Sequence, residues 1–174
     1  MARSVSYALH LMQLPPCGLY KTRAPIAGIP AGRLVYFHNH GNPGPGVYLP
    51  SGWKKNRVQL QPSGTTVEDP ALIAQLEPLP PEGFYRVTEP FHCCERRCRL
   101  FDTDMLVELG YDGEAHAILF TPELVEGMLA VPSSGARVEP ASFTKLKLLK
   151  VPSASASPSS SSEPSQAPPT GLVH

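Results

Sequence analysis

The densest group of residues able to do chemistry lies at positions 92–98, which read His-Cys-Cys-Glu-Arg-Arg-Cys. Thiolate and imidazole groups are the ligands that Zn²⁺ prefers in proteins. His92, Cys93, Cys94 and Cys98 are therefore candidate metal ligands, and zinc is the candidate cofactor. The spacing is unusual, because adjacent cysteines seldom both reach one tetrahedral ion and paired C-x-x-C motifs are missing. A complete site would also need a distant ligand, such as Cys17, His38, His40 or His116.

The same segment allows two other interpretations. Arg96, Arg97 and Arg99 would lower the pKa of a nearby thiol and favour the reactive thiolate. A thiol-redox protein would then form a disulfide from Cys98 to Cys94 or to Cys93. In the third interpretation the cysteines are reduced, partly buried beneath a loop, and inert.

His38 and His40 form a second candidate pair, separated by a single asparagine. Alternate side chains of a strand share one face, so the two imidazoles could both reach a metal ion. The simpler interpretation is a polar pair beside a turn, because the Gly- and Pro-rich residues 41–46 follow at once.

A basic segment with one aromatic residue runs from Trp53 through Lys54 and Lys55 to Arg57. An aromatic side chain among cations is typical of single-stranded nucleic-acid binding, and the three arginines near position 98 could extend the surface. The formal net charge of zero and the pI near 7.0 argue against this use, because they supply no long-range attraction to a polyanion. Nucleic-acid binding is therefore the lesser alternative.

Motifs of common enzymes are missing from the chain. It has no nucleophile elbow, phosphate-binding loop, dinucleotide fingerprint or zinc-protease motif, so no catalytic residues are assigned. No apolar run has the length of a membrane span, and the N-terminal residues lack a signal-peptide cleavage site. We therefore expect a cytoplasmic protein without a membrane partner.

The segments expected to position these residues occur in the sequence as two similar copies. LPPCGLYKTRAPI begins at Leu14, and LPPEGFYRVTEPF begins at Leu79, 65 positions later (79 − 14). Residues 33–50 resemble 105–122 at an offset of 72 (105 − 33), and 69–79 resemble 139–149 at an offset of 70 (139 − 69). Repetition in a constant order predicts a duplicated structural unit. The second copy gains seven residues (72 − 65) between the first two blocks, where the cysteines lie.

Each copy is predicted to fold mainly as short β-strands. Strand-forming segments alternate with Gly- and Pro-rich turns at residues 18–23, 33–38, 47–49, 57–60 and 76–79. Asp69 and Pro70 are typical of the start of a helix. The second copy repeats the pattern at residues 83–87, 106–109, 118–121, 128–131 and 146–151, with a helical turn at 139–140. The predicted fold is thus two tandem small β-barrel-like units, SH3-like by analogy of element order, an analogy that carries no function.

The predicted organisation has four parts. An N-terminal edge segment spans 1–13, the first repeat 14–78, the second repeat 79–151 with the cysteine-rich insertion 92–98, and a disordered Ser/Pro-rich tail 152–174. Each copy is about the smallest size that folds alone, so the copies should pack together. The favoured function is a non-enzymatic binding or structural module that engages a protein partner through its loops.

Overall fold

The computed structural model describes residues 14–152 of the 174-residue chain. The edge segment predicted at 1–13 and all but the first residue of the tail predicted at 152–174 lie outside this range. The described chain is mainly β. None of its helices has the length and hydropathy required to cross a membrane.

The described part of the first half contains seven strands and one short helix. They are β1 Gly18–Thr22, β2 Leu34–His38, β3 Gly46–Tyr48, β4 Pro50–Lys54, β5 Arg57–Leu60, β6 Thr65–Thr66, α1 Pro70–Ile73 and β7 Leu76–Pro78. Five of them form an antiparallel sheet in the order β6-β3-β2-β1-β7, while β4 and β5 form a separate hairpin.

The second half, described as far as residue 152, contains nine strands and a short 3-10 helix. They are β8 Gly83–Val87, β9 Phe91–His92, β10 Leu100–Phe101, β11 Leu106–Tyr111, β12 Ala117–Phe120, β13 Glu123–Val125, β14 Met128–Ala130, β15 Ala136–Val138, the 3-10 helix Pro140–Lys145 and β16 Leu146–Leu148. The main antiparallel sheet has the order β15-β12-β11-β8-β16, and β9-β10 and β13-β14 are two-stranded hairpins.

Local sequence explains most of these elements. The strand predicted at 57–60 is β5, and the strand predicted at 83–87 is β8, so both are confirmed. The start of α1 is also confirmed, since the Asp69 carboxylate accepts a 2.8 Å hydrogen bond from the Ala71 N–H and Pro70 occupies the first turn. β4 was missed because Pro50 and Gly52 depress the strand signal.

The prediction of closed barrels is wrong. Each five-stranded sheet is open, with β6 and β7 at opposite edges of the first and β15 and β16 at opposite edges of the second. Closure requires the two edge strands to tilt and hydrogen-bond along their length. These edge strands have only two or three residues each, too few for such pairing.

Two apolar clusters stabilise residues 14–152. One lies within the first half and includes Tyr20, Val35 and Phe37. The other fills the second half but also takes in Leu19 and Leu34 from the first. The two halves therefore share a core, as their small size requires.

Gly64 lies against the ring of Tyr48. A Cβ at this position would lie 2.8 Å from ring atoms of Tyr48 and from the Val47 carbonyl oxygen. We expect Gly64→Ala to lower the free energy of unfolding by about 1 to 2 kcal/mol, because overpacking shifts both the ring and a strand. Urea unfolding measures the change. Gly52→Ala is the control, since a Cβ there meets nothing within 4 Å; equal stability of the two variants would contradict the prediction.

Candidate functional site

Cys17, His38 and His40 converge at one end of the first sheet. Antiparallel pairing of β1 with β2 places Gly18 opposite Phe37. Cys17, just before β1, therefore lies beside His38 at the end of β2. The chain bends at Asn39, outside the strand, and this bend returns His40 to the same place.

The three potential ligand atoms are close together. The Cys17 Sγ lies 3.2 Å from the His38 Nδ1 and 3.6 Å from the His40 Nδ1. The centroids of the two imidazole rings are 4.1 Å apart. One ligand atom from each residue falls within 4.8 Å of the other two. Cys17 and His38 are half-buried and His40 is exposed, so the group is open to solvent on one side.

Asn39 holds this cluster in place. Its backbone N–H donates to the Cys17 Sγ at 3.3 Å, and its Oδ1 accepts from the same thiol at 3.1 Å. Its Nδ2 donates to the Pro15 carbonyl at 3.1 Å, which ties the bend to the chain before β1. From the sequence, His38 and His40 were recognised as a pair and Cys17 only as a distant ligand. The contact of Cys17 with both histidines depends on the register between β1 and β2, which the sequence does not give.

A second cluster forms in the cysteine-rich insertion. The β9–β10 hairpin brings together Cys93, Cys94 and Cys98, with Sγ–Sγ distances of 3.6 Å for Cys93–Cys94 and 3.8 Å for Cys94–Cys98. All three carry free thiols. His92 pairs with Leu100 in the hairpin, is exposed, and is not part of the group of mutually close ligand atoms.

Local hydrogen bonds make the thiols of this cluster unequal. The backbone N–H of Cys98 and the side chain of Cys93 lower the pKa of Cys94. The hydrogen bond to Cys94 and its charge raise the pKa of Cys98. Cys94 is therefore the first of the two to ionise. The cause differs from the one expected from the sequence, because backbone and thiol hydrogen bonds act here and not arginine side-chain charges.

The predicted nucleic-acid segment forms the turn of the β4–β5 hairpin and the strand residues next to it, and the hairpin packs on the second half. The Trp53 indole N–H donates to the Tyr111 carbonyl at 2.7 Å, and the Asn56 Nδ2 donates to Glu108 at 3.2 Å. The Arg57 Nε lies 3.6 Å from the Glu108 carboxylate. Lys54 and Lys55 are exposed, and 47% of the Trp53 surface remains accessible.

The arginines of the insertion have different neighbours from the β4–β5 hairpin. Arg96, Arg97 and Arg99 are exposed, and the Arg99 guanidinium lies 5.5 Å above the ring of Phe101.

His116, proposed as a distant metal ligand, instead has its Nδ1 3.0 Å from the Asp112 carboxylate. Burial opposes ionisation of Asp112, but hydrogen bonds from the backbone and side chain of His116 outweigh it and lower the Asp112 pKa.

Glu82 also holds the β4–β5 hairpin. Its two carboxylate oxygens accept from the Val58 N–H at 3.2 and 3.1 Å. Burial raises the pKa of Glu82 above its usual range, although the Val58 hydrogen bond and the Arg57 charge partly offset this.

The raised pKa of Glu82 predicts a pH dependence of stability. The folded state holds the Glu82 proton more tightly than the unfolded state, so the free energy of unfolding should fall as pH rises from the ordinary glutamate pKa to the raised one. Glu82→Gln keeps an acceptor for Val58 and should remove this part of the slope, as measured by urea unfolding between pH 4 and 7 (about the carboxyl range). Glu68→Gln, at an exposed position, controls for removal of a carboxylate. An unchanged slope in Glu82→Gln would contradict the assignment.

Two of the grooves in residues 14–152 lie at equivalent places beside the two main sheets. The larger, about 1080 Å³, lies between the β4–β5 hairpin and the second sheet, where Phe84, Glu108 and Phe120 line it. The smaller, about 300 Å³, lies on the first sheet and is lined by Tyr36, His38, Tyr48, Leu60 and Gln61.

The β13–β14 hairpin is the most exposed apolar element of the described chain. Its apolar residues are accessible over 76% of Leu124, 51% of Val125, 70% of Met128 and 58% of Leu129. Exposed apolar patches of this kind mark interaction sites in soluble proteins. The sequence prediction recognised β14 as a strand but not the hairpin or its exposure.

Comparisons with family models, with curated proteins and with solved structures find no match to this chain.

Proposed function

We propose that this chain is a non-enzymatic structural protein, built by internal duplication, that assembles head to tail with further copies of itself. Support for the duplication comes first from topology. The strand order β6-β3-β2-β1-β7 of the first sheet matches the order β15-β12-β11-β8-β16 of the second, strand for strand. Both halves also have a helical turn before the last strand. This order of strands and helical turn is similar to that of SH3-like units, but the sheets of this chain are open.

Strand registers also support the duplication. Tyr20 lies opposite Val35, and Tyr85 lies opposite Val107, which reproduces the sequence offsets of 65 (85 − 20) and 72 (107 − 35). The hydroxyl of Tyr20 donates to the carbonyl four residues earlier at 2.7 Å, and that of Tyr85 does the same at 2.7 Å.

A glycine pair extends the correspondence. A Cβ on Gly64 would collide with Val47 O and the Tyr48 ring, and one on Gly135 would collide with Leu119 O and the Phe120 ring. Both glycines thus allow the same close approach of an edge strand. The aromatic rings they accommodate each line one of the two grooves.

The observation that carries the assembly proposal is that two equivalent hairpins differ in burial: one packs on the second half and the other is exposed to solvent. The β4–β5 hairpin turns at Lys55 and Asn56, and the β13–β14 hairpin turns at Glu126 and Gly127, all with positive φ. With this offset of 71 (126 − 55), Val58 corresponds to Leu129. Val58 packs against the core of the second half, whereas more than half of Leu129 is exposed. The first hairpin is covered by the second half, whereas within residues 14–152 the second hairpin leaves its apolar side chains exposed.

The first sheet offers the matching surface. The sequence offset of 72 places Tyr36 where the second sheet has Glu108, and Tyr48 where it has Phe120. The 300 Å³ groove on the first sheet therefore corresponds to the part of the larger groove beside which the β4–β5 hairpin lies. A β13–β14 hairpin from a second copy would lie over this groove, farther from the strand than β4–β5 lies, because His38 stands where the second sheet has Gly110.

The chemistry of the two hairpin–sheet pairs is complementary. Arg57 forms an ion pair with Glu108 within the chain, and the equivalent residues between copies would be Met128 and Tyr36. A charged hairpin thus meets a carboxylate, and an apolar hairpin would meet an aromatic groove. Exchange of the two would bury an unpaired charge, which is costly. Burial of the exposed apolar side chains would favour association by about 25 cal/mol per Å² removed from water.

The head-to-tail arrangement uses two different surfaces of each copy, so it generates rings or open chains. This gives a mixing experiment. A donor variant, Leu124→Ser with Leu129→Ser, lacks the apolar hairpin, and an acceptor variant, Leu60→Glu, puts a charge in the groove. We expect the unchanged chain to associate with rising concentration in sedimentation velocity. Each variant alone should stay monomeric, and the mixture should form a dimer that grows no further.

The matched control is Lys54→Ser with Lys55→Ser, which makes two substitutions in the exposed turn of the other hairpin and should associate normally. Far-ultraviolet circular dichroism checks that every variant folds. A monomeric unchanged chain at all concentrations would overturn the proposal. So would association of the acceptor variant with itself, because that outcome indicates symmetric pairing of hairpins.

A second candidate function, binding of a thiophilic metal ion, is favoured by the Cys93, Cys94 and Cys98 cluster. Its Sγ–Sγ distances of 3.6 and 3.8 Å match the separation of about 3.8 Å between two thiolates on a tetrahedral zinc ion. Elemental analysis of the purified chain tests it. We expect Cys94→Ser with Cys98→Ser to lose one zinc per chain, and unchanged zinc content would exclude this cluster.

A further inference from the structure

We propose that Cys17, His38 and His40 form a Zn²⁺ site in the first half, at the end of the acceptor groove that His38 also lines. No argument for the assembly depends on metal, and the two can fail separately. The inference rests on the distances between the three ligand atoms, on the hydrogen bonds around the sulfur, and on the residues at the equivalent positions of the second half.

The distances fit a tetrahedral ion. With Zn–S near 2.3 Å and Zn–N near 2.0 to 2.1 Å, a sulfur and a nitrogen bound to one tetrahedral zinc are about 3.5 Å apart. The Cys17 Sγ lies 3.2 Å and 3.6 Å from the Nδ1 atoms of His38 and His40. Both sulfur–nitrogen distances are therefore close to those expected when one ion binds the three side chains.

The type of ligand selects the metal. One thiolate and two imidazoles suit Zn²⁺, whereas Mg²⁺ and Ca²⁺ prefer oxygen ligands. Three protein ligands leave a fourth position, which water fills in open zinc sites. The exposed side of His40 provides the path by which the ion and this water enter.

The surroundings of Cys17 favour the bound form. In the metal-free chain the thiol donates to the Asn39 Oδ1. On metal binding the sulfur loses this proton to solvent and its electron pair forms the Zn–S bond. The Asn39 backbone N–H, 3.3 Å from the sulfur, continues to donate to the thiolate and so stabilises its charge. The bond from Asn39 to Pro15 holds that N–H in position.

The second half uses the equivalent positions for something else. Cys17, His38 and His40 correspond to Glu82 (17 + 65), Gly110 (38 + 72) and Asp112 (40 + 72). Glu82 accepts from Val58, and Gly110 lies against the Asn56 backbone. The shared fold therefore requires neither a thiol nor an imidazole at these positions. The ligand set is specific to the first half, which favours a site over a packing role.

A cobalt titration tests the site in the full-length chain. The parent protein would carry Leu124→Ser and Leu129→Ser to remain monomeric, and Cys94→Ser and Cys98→Ser to remove the other cluster. After chelation it would be titrated with Co²⁺ and then with Zn²⁺. We expect one equivalent to bind, with a thiolate-to-cobalt charge-transfer band and the intense visible bands of tetrahedral cobalt, both lost when Zn²⁺ displaces the cobalt.

Ligand variants of this parent assign the site. Cys17→Ser should lose the charge-transfer band and weaken zinc binding about 100-fold or more, because it replaces the thiolate ligand. His38→Gln and His40→Gln should weaken binding as well, whereas His116→Gln is the matched control and should bind normally. Zinc should raise the thermal midpoint of the parent and of the control but not of Cys17→Ser, which separates lost binding from lost folding. An unchanged charge-transfer band in Cys17→Ser, or no stoichiometric binding by the folded parent, would overturn the proposal.

Discussion

Leu34→Ala is expected to lower the free energy of unfolding of the whole chain by about 3 kcal/mol, within the range for truncation of a buried leucine. Leu34 is fully buried at 0% exposure. It belongs to the first sheet but packs in the core cluster of the second half, with Tyr85 and Val107. Its N–H donates to the Gly113 carbonyl at 3.1 Å, so the residue joins the halves through both backbone and side chain.

Urea unfolding in dilute solution measures this effect with two probes. Far-ultraviolet circular dichroism follows all strands, and the fluorescence of the single tryptophan, Trp53, follows the contact between the halves. Both transitions should shift together, because the shared core makes the halves cooperative. Leu124→Ala, at an exposed position, should change stability by less than about 0.5 kcal/mol. An equally small effect of Leu34→Ala, or separation of the two transitions in the unchanged chain, would contradict a shared core.

Gly110→Ala is expected to separate the β4–β5 hairpin from the second sheet and to lower the free energy of unfolding by about 3 kcal/mol, at the upper end for overpacking. A Cβ on residue 110 would lie 2.5 Å from the backbone carbonyl oxygen of Asn56. The atom that must move is backbone, so no side-chain rotation can relieve the contact. Displacement of the hairpin would also weaken the hydrogen bonds that Asn56 donates to Glu108 and to the Pro132 carbonyl.

Trp53 reports this displacement directly, since its indole N–H donates to the Tyr111 carbonyl across the same interface. In Gly110→Ala the emission should move to longer wavelength, and quenching by iodide should increase, at urea concentrations where the chain is still folded. Gly52→Ala, within the same hairpin but with open space around the added methyl group, should leave both readouts unchanged. Identical emission and quenching in the two variants would show that the hairpin does not depend on Gly110.

Much of the secondary structure followed from local rules. Alternating apolar residues and turn residues predicted β1, β2, β5, β8 and β11 near their observed places, because side chains of a strand alternate between its faces. The cap of α1 followed from Asp69 and Pro70, whose interactions are confined to one turn. The short hairpins around Cys93 and Leu124 escaped prediction, since two- or three-residue strands carry too little pattern to be recognised.

The candidate sites likewise differ in whether their residues are close in the chain or are brought together only by the fold. The sequence brought Cys93, Cys94 and Cys98 to attention because they are neighbours in the chain, and the structure keeps them together. Cys17 is 21 residues from His38, and only the pairing of β1 with β2 shows that they touch. Trp53 and Arg57 suggested a free basic surface, yet both make contacts with the second half, contacts that depend on where the hairpin packs.

By itself the amino-acid sequence determined that the chain is mainly β, where most of its strands and its capped helix begin, and which offsets relate its similar segments, because these depend on residues close together in the chain. Only the tertiary structure decided that the sheets are open, that Leu34 belongs to the core of the other half, that Cys17 meets two histidines, and that one hairpin is covered while the other is exposed. These features depend on strand register and on packing between distant residues, and a one-residue change of register turns every side chain of a strand to the opposite face.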